Sequence, residues 1–102
     1  MHYIYVLRSQ KDNKNYVGYT KNLNLRFEQH NKGLVASTMH RRPLNLIYYE
    51  ACLNQQDATR REKYLKTIYG KRYIKKQAQI LLNRVNEQTN RRHQKRIPGN
   101  FG

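Results

Sequence analysis

Hydrophobic and polar positions alternate over the first twenty residues in the manner of two short strands. Residues 2–8 (HYIYVLR) and 15–20 (NYVGYT) are rich in aromatic and β-branched side chains, which favour an extended backbone. The polar segment 11–14 (KDNK) between them has the composition of a turn. These segments predict a β-hairpin. Gly18 inside the second strand indicates that another backbone or a ligand comes close there, unless the glycine forms a β-bulge.

The middle of the chain predicts a helix and a third strand. Residues 21–32 are expected to be helical, with Thr20 or Asn22 as the N-cap and Gly33 as the C-terminal stop. A loop then leads to residues 44–52 (LNLIYYEAC), whose apolar and β-branched composition predicts a strand.

Two more helices and a polar tail complete the predicted order. Asn54 caps a helix that runs to Tyr69 and is ended by Gly70, and a last helix is expected over residues 72–85. The apolar face of that last helix consists of Ile74, Ala78, Leu81 and Val85. Residues 86–102 are polar and basic, which predicts a disordered tail after a domain of residues 1–85. The order ββαβαα predicts an α+β fold, with a small three-stranded antiparallel sheet flanked by helices.

The first predicted helix carries polar residues on the face that should be buried. Leu23, Arg26, Phe27 and His30 are spaced as one continuous helical stripe, although one is a permanent cation and one can titrate. One explanation is that Arg26 lies at the edge of the stripe and covers the core with its aliphatic stem. The other is that Arg26 and His30 point together into a functional site.

The second predicted helix has the same feature with a carboxylate. Ala58, Glu62, Leu65 and Tyr69 form one stripe, so Glu62 is expected among apolar neighbours that face the sheet. An ionised carboxylate there is costly unless it is paired or binds a metal. The alternatives are a salt bridge to Arg26 or exposure at the edge of the stripe.

The amino-acid composition indicates which class of partner such a site would bind. Lys and Arg number 21 against 6 Asp and Glu, which gives a net charge of +15. Clustered cations gain free energy by displacing counterions from phosphates, so we expect a nucleic acid as partner, with DNA as the first choice. Six scattered carboxylates do not favour the acidic cluster of a two-metal nuclease.

Cysteine content and hydropathy suggest a compartment. No apolar run approaches the roughly 20 residues that a membrane-spanning helix needs, and the strand-like first residues do not resemble a signal peptide. The single Cys52 excludes an intrachain disulfide. We therefore expect a cytoplasmic protein without membrane association.

Several short motifs together resemble the GIY-YIG nuclease family. Tyr3-Ile4-Tyr5 resembles the first triplet, although Tyr3 replaces its glycine, and Tyr16-Val17-Gly18 resembles the second. The helix with Arg26 and His30 is similar to the family's R-x-x-x-H helix. Further resemblance is carried by Ser37-Thr38, by His40-Arg41-Arg42-Pro43, and by Arg61-Glu62 followed by Leu65-Lys66. The likeness covers residues 2–76 and is greatest to small bacterial members and to the amino-terminal domain of a bacterial excinuclease, which suggests a link to DNA repair.

The resemblance implies roles for five residues. Glu62 matches the glutamate that holds one divalent metal ion, Mg²⁺ or Mn²⁺, with water completing the shell. Tyr5 is the first choice for the general base and Tyr16 the second. Arg26 would offset transition-state charge, and His30 would relay a proton or orient a tyrosine. Neither Asn83 nor Asn86 matches the family's late asparagine by motif.

A second set of residues is expected to contact nucleic acid. These candidates are Gly18, His40, Arg41, Arg42, Lys71, Arg72, Lys75 and Lys76. The basic residues of the last helix can equally form a solvated face. The sequence therefore favours a metal-dependent DNA endonuclease. The alternatives are a non-catalytic basic nucleic-acid-binding protein and a module that has kept the fold but lost the activity.

Overall fold

The computed structural model describes the backbone of residues 1–100 and the side chains of residues 1–84. The strands are β1 (His2–Ser9), β2 (Asn15–Thr20) and β3 (Leu44–Cys52). The helices are α1 (Leu23–Asn31), α2 (Gln55–Leu65) and α3 (Ile68–Asn100), and a short 3₁₀ turn covers Met39–Arg41. This order confirms the predicted α+β class. In the part of the chain described, none of the helices has the length and apolar character needed to cross a membrane.

Strand β1 is the centre of the sheet, because it pairs antiparallel with β2 on one side and with β3 on the other. Its middle residues, Ile4 to Leu7, are all buried, as expected for a strand covered on both faces. Tyr5 lies opposite Gly18 of β2 and Tyr49 of β3. A register shift against β3 falls between Val6 and Leu7.

Two apolar clusters lie on the two faces of the sheet, because side chains alternate along β1. On one face, Ile4 and Val6 pack with residues of α2 and α3: Ala58, Leu65 and Ile74. On the other face, Tyr5, Leu7 and Leu44 pack with the α1 side chains Leu23 and Phe27. Helix α1 therefore covers the face that carries Tyr5.

Both predicted ends of α1 are confirmed, with Asn22 as the cap. The Asn22 side chain accepts a hydrogen bond from the Leu25 amide at 3.1 Å. Gly33 ends the helix with φ +77°, a left-handed conformation that favours glycine.

The predicted boundary between α2 and α3 is wrong. Helix α2 ends at Leu65, and Gly70 lies in the first turn of α3, where its amide donates to the Thr67 hydroxyl. A Cβ on Gly70 would lie 2.3 Å from the Leu65 Cα and from the Tyr64 carbonyl oxygen. Glycine is therefore required by the close approach of two helices and not as a helix stop. Tyr69 accordingly belongs to α3 and is exposed.

Helix α3 differs from the prediction at its other end too. The helix continues to Asn100, past the predicted end at Val85. Of its predicted apolar face, Ile74 is buried and Ala78 half-buried, but Leu81 is 53% exposed. The side chains of residues 85–102 lie outside the described part, so the proposed basic tail and the domain boundary at 85 stay predictions.

Candidate active site

Tyr5 is the centre of the candidate site, and Gly18 provides the space for it. The Tyr5 side chain is buried, and a Cβ on Gly18 would lie 2.4 Å from both its Cζ and its hydroxyl oxygen. The close approach predicted at Gly18 is present, but the group is a tyrosine ring and not a backbone or a ligand. The pairing of β1 with β2 shows no register shift there, which excludes the β-bulge alternative. Gly18 is itself buried and has this steric role, and its predicted contact with nucleic acid stays a prediction.

We expect Gly18→Ala to destabilise the protein by about 1–3 kcal/mol, the usual cost of overpacking a core. The new methyl group would displace the Tyr5 ring, because the rigid strand cannot move away from it. Urea unfolding of Gly18→Ala in wild-type and Tyr5→Leu backgrounds measures this coupling. Most of the cost should vanish with Tyr5→Leu, whereas an equal cost in both backgrounds would show that the ring is not the obstacle.

Helix α1 brings Arg26 and His30 to the same face of the sheet. His30 is fully buried and Arg26 half-buried, so the predicted inward stripe is confirmed. The Arg26 guanidinium donates to the Gln29 side-chain oxygen at 3.1 Å, and it lowers the pKa of the Tyr5 phenol. Arg26 thus does more than cover the core with its stem.

A chain of two hydrogen bonds runs from the sheet to the loop after α1. The Tyr5 hydroxyl lies 2.8 Å from His30 Nε2, and His30 Nδ1 lies 2.7 Å from the Thr38 hydroxyl. All three residues are at most 1% exposed. The Tyr16 ring stands beside them, 6.3 Å from the Tyr5 ring and 5.3 Å from the His30 ring between centroids. The structure therefore brings together Tyr5, Tyr16, Arg26 and His30.

Burial dominates the electrostatics of this group. Burial raises the pKa of Tyr5, the nearby Arg26 guanidinium opposes this rise, and the charges of Tyr16 and Glu62 add to it. Burial, with a smaller contribution from the positive charge of Arg26, lowers the pKa of His30 to about 4. His30 is therefore neutral at pH 7, with a proton on only one ring nitrogen.

The lowered pKa of His30 predicts a pH window for stability. Its ordinary value is 6.5, so between about pH 6.5 and 4 the unfolded chain binds a proton that the folded protein does not. Stability should therefore fall as the pH falls through this window, by a total on the order of 3 kcal/mol for a shift to about 4. Urea unfolding between pH 4 and 8 measures it.

The control for this window is His30→Gln, which cannot titrate. Its stability should change much less between pH 6.5 and 4. The titration of Asp12 and Glu28 affects stability at lower pH. The Lys14 amide lowers the pKa of Asp12 from its ordinary value of 3.8, and Lys32 lowers the pKa of Glu28 from its ordinary value of 4.5. A wild-type curve that is flat above pH 4.5 would contradict the assignment.

Glu62 lies on α2, near enough for its charge to raise the pKa of Tyr5. Its stripe neighbours Ala58 and Leu65 are buried, and the Glu62 side chain is 22% exposed. The predicted alternative of a bridge to Arg26 is not formed, because the Glu62 ion pair is with Lys66 at 3.6 Å. The Glu62 charge still reaches Tyr5, since it is one cause of the raised pKa of that phenol.

The donor set fits a hard divalent cation. Glu62 offers carboxylate oxygens that are held by a single long ion pair. Among the described residues, no group of three His, Cys, Asp or Glu side chains could form a metal site on its own. A lone carboxylate suits Mg²⁺, which keeps several of its own waters.

The other half of the Arg61-Glu62 motif has a structural role. The Arg61 Nε donates to both carboxylate oxygens of Glu50 on β3 at 2.9 Å, and the Tyr48 hydroxyl donates to the same carboxylate. The Arg61 guanidinium also lies 4.9 Å from the centre of the Tyr73 ring. Arg61 therefore connects α2 to β3 and α3. Its side chain lies on a different side of α2 from that of Glu62.

The basic loop before β3 is held against the protein. Arg41 pairs with Asp12 at 3.1 Å, and Arg42 donates to the Met39 and Asn31 carbonyl oxygens. His40 is exposed. The proposed contacts of these three side chains with nucleic acid stay predictions.

A cavity of about 310 Å³ opens beside Tyr16 between β2 and the last two helices. Its polar lining includes Asn15, Lys66 and Lys71. A groove of about 950 Å³ shares Asn15 and Lys71 with this cavity and adds further cations. These added cations are Arg8, Lys14 and Lys75. Arg72 and Lys76 are also exposed on α3, but they line a separate pocket with Lys75.

Sequence reasoning missed Thr38 and part of this groove. Thr38 appeared only as part of a loop motif, and nothing in its spacing from His30 indicates a contact. Lys66 and Lys14 had no assigned role, although Lys66 follows Glu62 by one helical turn. Asn83 is exposed and accepts from Gln79, away from Tyr5, and the side chain of Asn86 lies outside the described residues.

The chain is similar in sequence to several known proteins. A UPF0213 protein of Staphylococcus haemolyticus is 40% identical over 75 residues, which cover 72% of this chain and 90% of that protein. A UPF0213 protein of Pediococcus pentosaceus is 52% identical over 65 residues, or 63% and 67% of the two chains. The solution NMR structure of a UPF0213 protein of Bacillus halodurans is 29% identical, with a TM-score of 0.47 over 72% of this chain and 80% of that one. The model of the GIY-YIG catalytic domain matches residues 1–77, and the chain therefore belongs to the GIY-YIG nuclease family.

Proposed function

We propose that this protein is a divalent-metal-dependent nuclease that hydrolyses phosphodiester bonds in DNA. The observation that carries the proposal is the convergence of Tyr5, Tyr16, Arg26 and His30 at one point of the sheet, with the charge of Glu62 acting on it. A protein that only binds phosphates needs surface cations, but it does not need a buried phenol and imidazole that are hydrogen-bonded to each other. Membership of a nuclease family supports the same function.

The reaction needs a base for water, compensation of phosphoryl charge and stabilisation of the leaving oxygen. A phenol loses its proton at a pKa near 10, so cations must favour the phenolate that accepts a proton from the attacking water. Tyr5 is the first choice for this base, because its oxygen is hydrogen-bonded to His30 and the Arg26 guanidinium lowers its pKa. Tyr16 is the second choice, because it is half-buried and is one of the residues that line an open cavity.

The remaining tasks fall to charged groups. Arg26 would offset negative charge on the phosphoryl oxygens, since a guanidinium binds such oxygens through two parallel donors. Glu62 would hold Mg²⁺ or Mn²⁺, which supplies charge compensation for the phosphoryl and leaving oxygens when it is bound. The new bond joins the water oxygen to phosphorus, and the bond that breaks joins phosphorus to the leaving oxygen.

A cleavage assay tests the proposal. Labelled duplex, branched and single-stranded DNA, with matching RNA, would be incubated with Mg²⁺, Mn²⁺ or EDTA. We expect cleavage of at least one DNA with metal and none with EDTA. Binding without cleavage of any substrate would favour the alternative of a non-catalytic nucleic-acid-binding protein.

The basic groove that contains Lys71 and Lys75 predicts how the affinity for DNA depends on salt. Contact with roughly 5 phosphates gives a slope of about −4 to −5 in a plot of log affinity against log salt on duplex DNA. Replacing both Lys71 and Lys75 by glutamine should flatten this slope by about 2, because each phosphate contact contributes about −0.9. Fluorescence anisotropy at several salt concentrations measures it. Lys32→Gln is the control, because Lys32 pairs with Glu28 on α1 outside the groove. An equally large flattening of the slope in this control would contradict the assignment.

Cytoplasmic location stays part of the proposal. Cys52 is a free, half-buried thiol in the structure, in keeping with a reducing compartment.

A further inference from the structure

The buried chain of Tyr5, His30 and Thr38 contains one proton more than it has hydrogen bonds. The two hydrogen bonds join the Tyr5 hydroxyl to Nε2 and the Thr38 hydroxyl to Nδ1. With His30 neutral, the phenol, the imidazole and the Thr38 hydroxyl each carry one proton. Three donors for two bonds leave one buried donor without an acceptor within the chain, which costs free energy.

Two arrangements of these protons are possible, and they differ in where the surplus lies. If Tyr5 donates to Nε2, then Nδ1–H donates to Thr38, and the surplus proton is on Thr38. If Thr38 donates to Nδ1, then Nε2–H donates to the Tyr5 oxygen, and the surplus proton is on Tyr5. Only in the second arrangement does ionisation of Tyr5 leave every remaining donor paired.

The surroundings favour the second arrangement. The backbone holds Thr38 in place, because its amide donates to the Val35 carbonyl at 3.1 Å and its carbonyl accepts from the Arg41 amide at 2.9 Å. His30 Nδ1 is the hydroxyl's hydrogen-bond partner among the described side chains. The positive charge of Arg26 lowers the pKa of the Tyr5 phenol, so it favours the arrangement in which the imidazole N–H also points at the oxygen that would carry the negative charge.

We propose that Thr38 is a positioning residue whose hydroxyl donates to His30 Nδ1 and thereby holds the neutral imidazole with Nε2–H directed at the Tyr5 oxygen. The loop after α1 thus helps to stabilise the Tyr5 phenolate without touching substrate. The groups that face Tyr5 from the packed elements are Tyr16 on β2, Arg26 and His30 on α1, Glu62 on α2 and Tyr49 opposite it on β3. The catalytic consequence rests on the proposed function, but the proton arrangement does not.

The first test is the tautomer of His30 in the wild-type protein, because hydrogen positions must be measured. Nitrogen-15 NMR of the ring nitrogens at pH 7 distinguishes Nε2–H from Nδ1–H, and the signals of His30 are those that disappear in His30→Gln. We expect Nε2 to carry the proton and Nδ1 to be bare. The reverse would overturn the proposal whether or not the protein is a nuclease.

The second test compares Thr38→Val with Thr38→Ser. Valine keeps the shape but removes the donor, whereas serine keeps the hydroxyl. With carbon-13-labelled tyrosine, the pKa of the Tyr5 phenol should be higher in Thr38→Val than in wild type and unchanged in Thr38→Ser. The rate of cleavage at pH 7 should fall roughly 5- to 10-fold in Thr38→Val, the worth of one buried neutral hydrogen bond, and about 2-fold or less in Thr38→Ser.

Each outcome of the second test decides the point. An unchanged Tyr5 titration in Thr38→Val would overturn the proposal, and so would equal effects of valine and serine, since shape and not the hydroxyl would then matter. Absence of cleavage by the wild type would refute the proposed function alone, because the tautomer and the titration are measured without substrate.

Discussion

Glu62→Gln is expected to abolish cleavage while binding to nucleic acid persists. The substitution keeps size and hydrogen-bonding capacity but removes the negative charge that would hold the divalent ion. The side chain is partly solvated and has one ion pair, with Lys66, so the fold should lose no more than about 1 kcal/mol. Binding should be as strong as in wild type or stronger, because a charge that repels phosphate is gone.

The measurement combines a cleavage assay, anisotropy and urea unfolding on the same preparations. Glu28→Gln is the matched control, because Glu28 is an exposed carboxylate paired with Lys32 on α1. It should cleave at the wild-type rate. A Glu62→Gln protein that also cleaves at the wild-type rate would show that this carboxylate does not hold the metal.

Tyr5→Phe is the second substitution with a large expected effect, a loss of on the order of 10²–10⁴ in rate. The ring keeps its position over Gly18, but the oxygen that would accept the proton from water is gone. Because His30 loses a buried partner at 2.8 Å, stability should fall by about 1–3 kcal/mol. Rates are therefore compared at a temperature where both proteins are fully folded.

The pH profile separates a lost base from a weakened one. In wild type the rate should rise with pH as the Tyr5 phenol ionises, and Tyr5→Phe should abolish this rise. Arg26→Lys should keep the rise but displace it to higher pH, since the guanidinium lowers the pKa of Tyr5 and an ammonium does not reproduce its planar contact. If Tyr16→Phe loses the rise and Tyr5→Phe retains it, Tyr16 is the base.

Periodicity alone was enough to predict which faces the polar side chains occupy. The spacing of Leu23, Arg26, Phe27 and His30 requires one helical face, and the structure buries His30 on it. Local chemistry likewise determined the cap at Asn22 and the stop at Gly33, because both depend on backbone groups only a few residues away. The strand pattern and the order of elements were sufficient for the α+β class.

Contacts between distant segments were beyond the reach of these patterns. Gly18 was expected to admit another backbone or a ligand, and Gly70 to end a helix, yet Gly18 makes room for the Tyr5 ring and Gly70 for the end of α2. Arg41 was expected to contact nucleic acid, and no sequence pattern predicted its ion pair with Asp12 across 29 positions of sequence.

Local patterns therefore predicted the order of the elements, their inward faces and the set of residues that resemble a nuclease. The partners of the inward polar groups follow from the three-dimensional packing alone. A hydrogen bond such as the one between His30 and Thr38 depends on the path of a loop, and that path is set by packing of Val35 and by backbone bonds within the loop. Helical and strand periods specify directions along one element, whereas partners across elements follow from register, helix docking and loop closure, which no local pattern encodes.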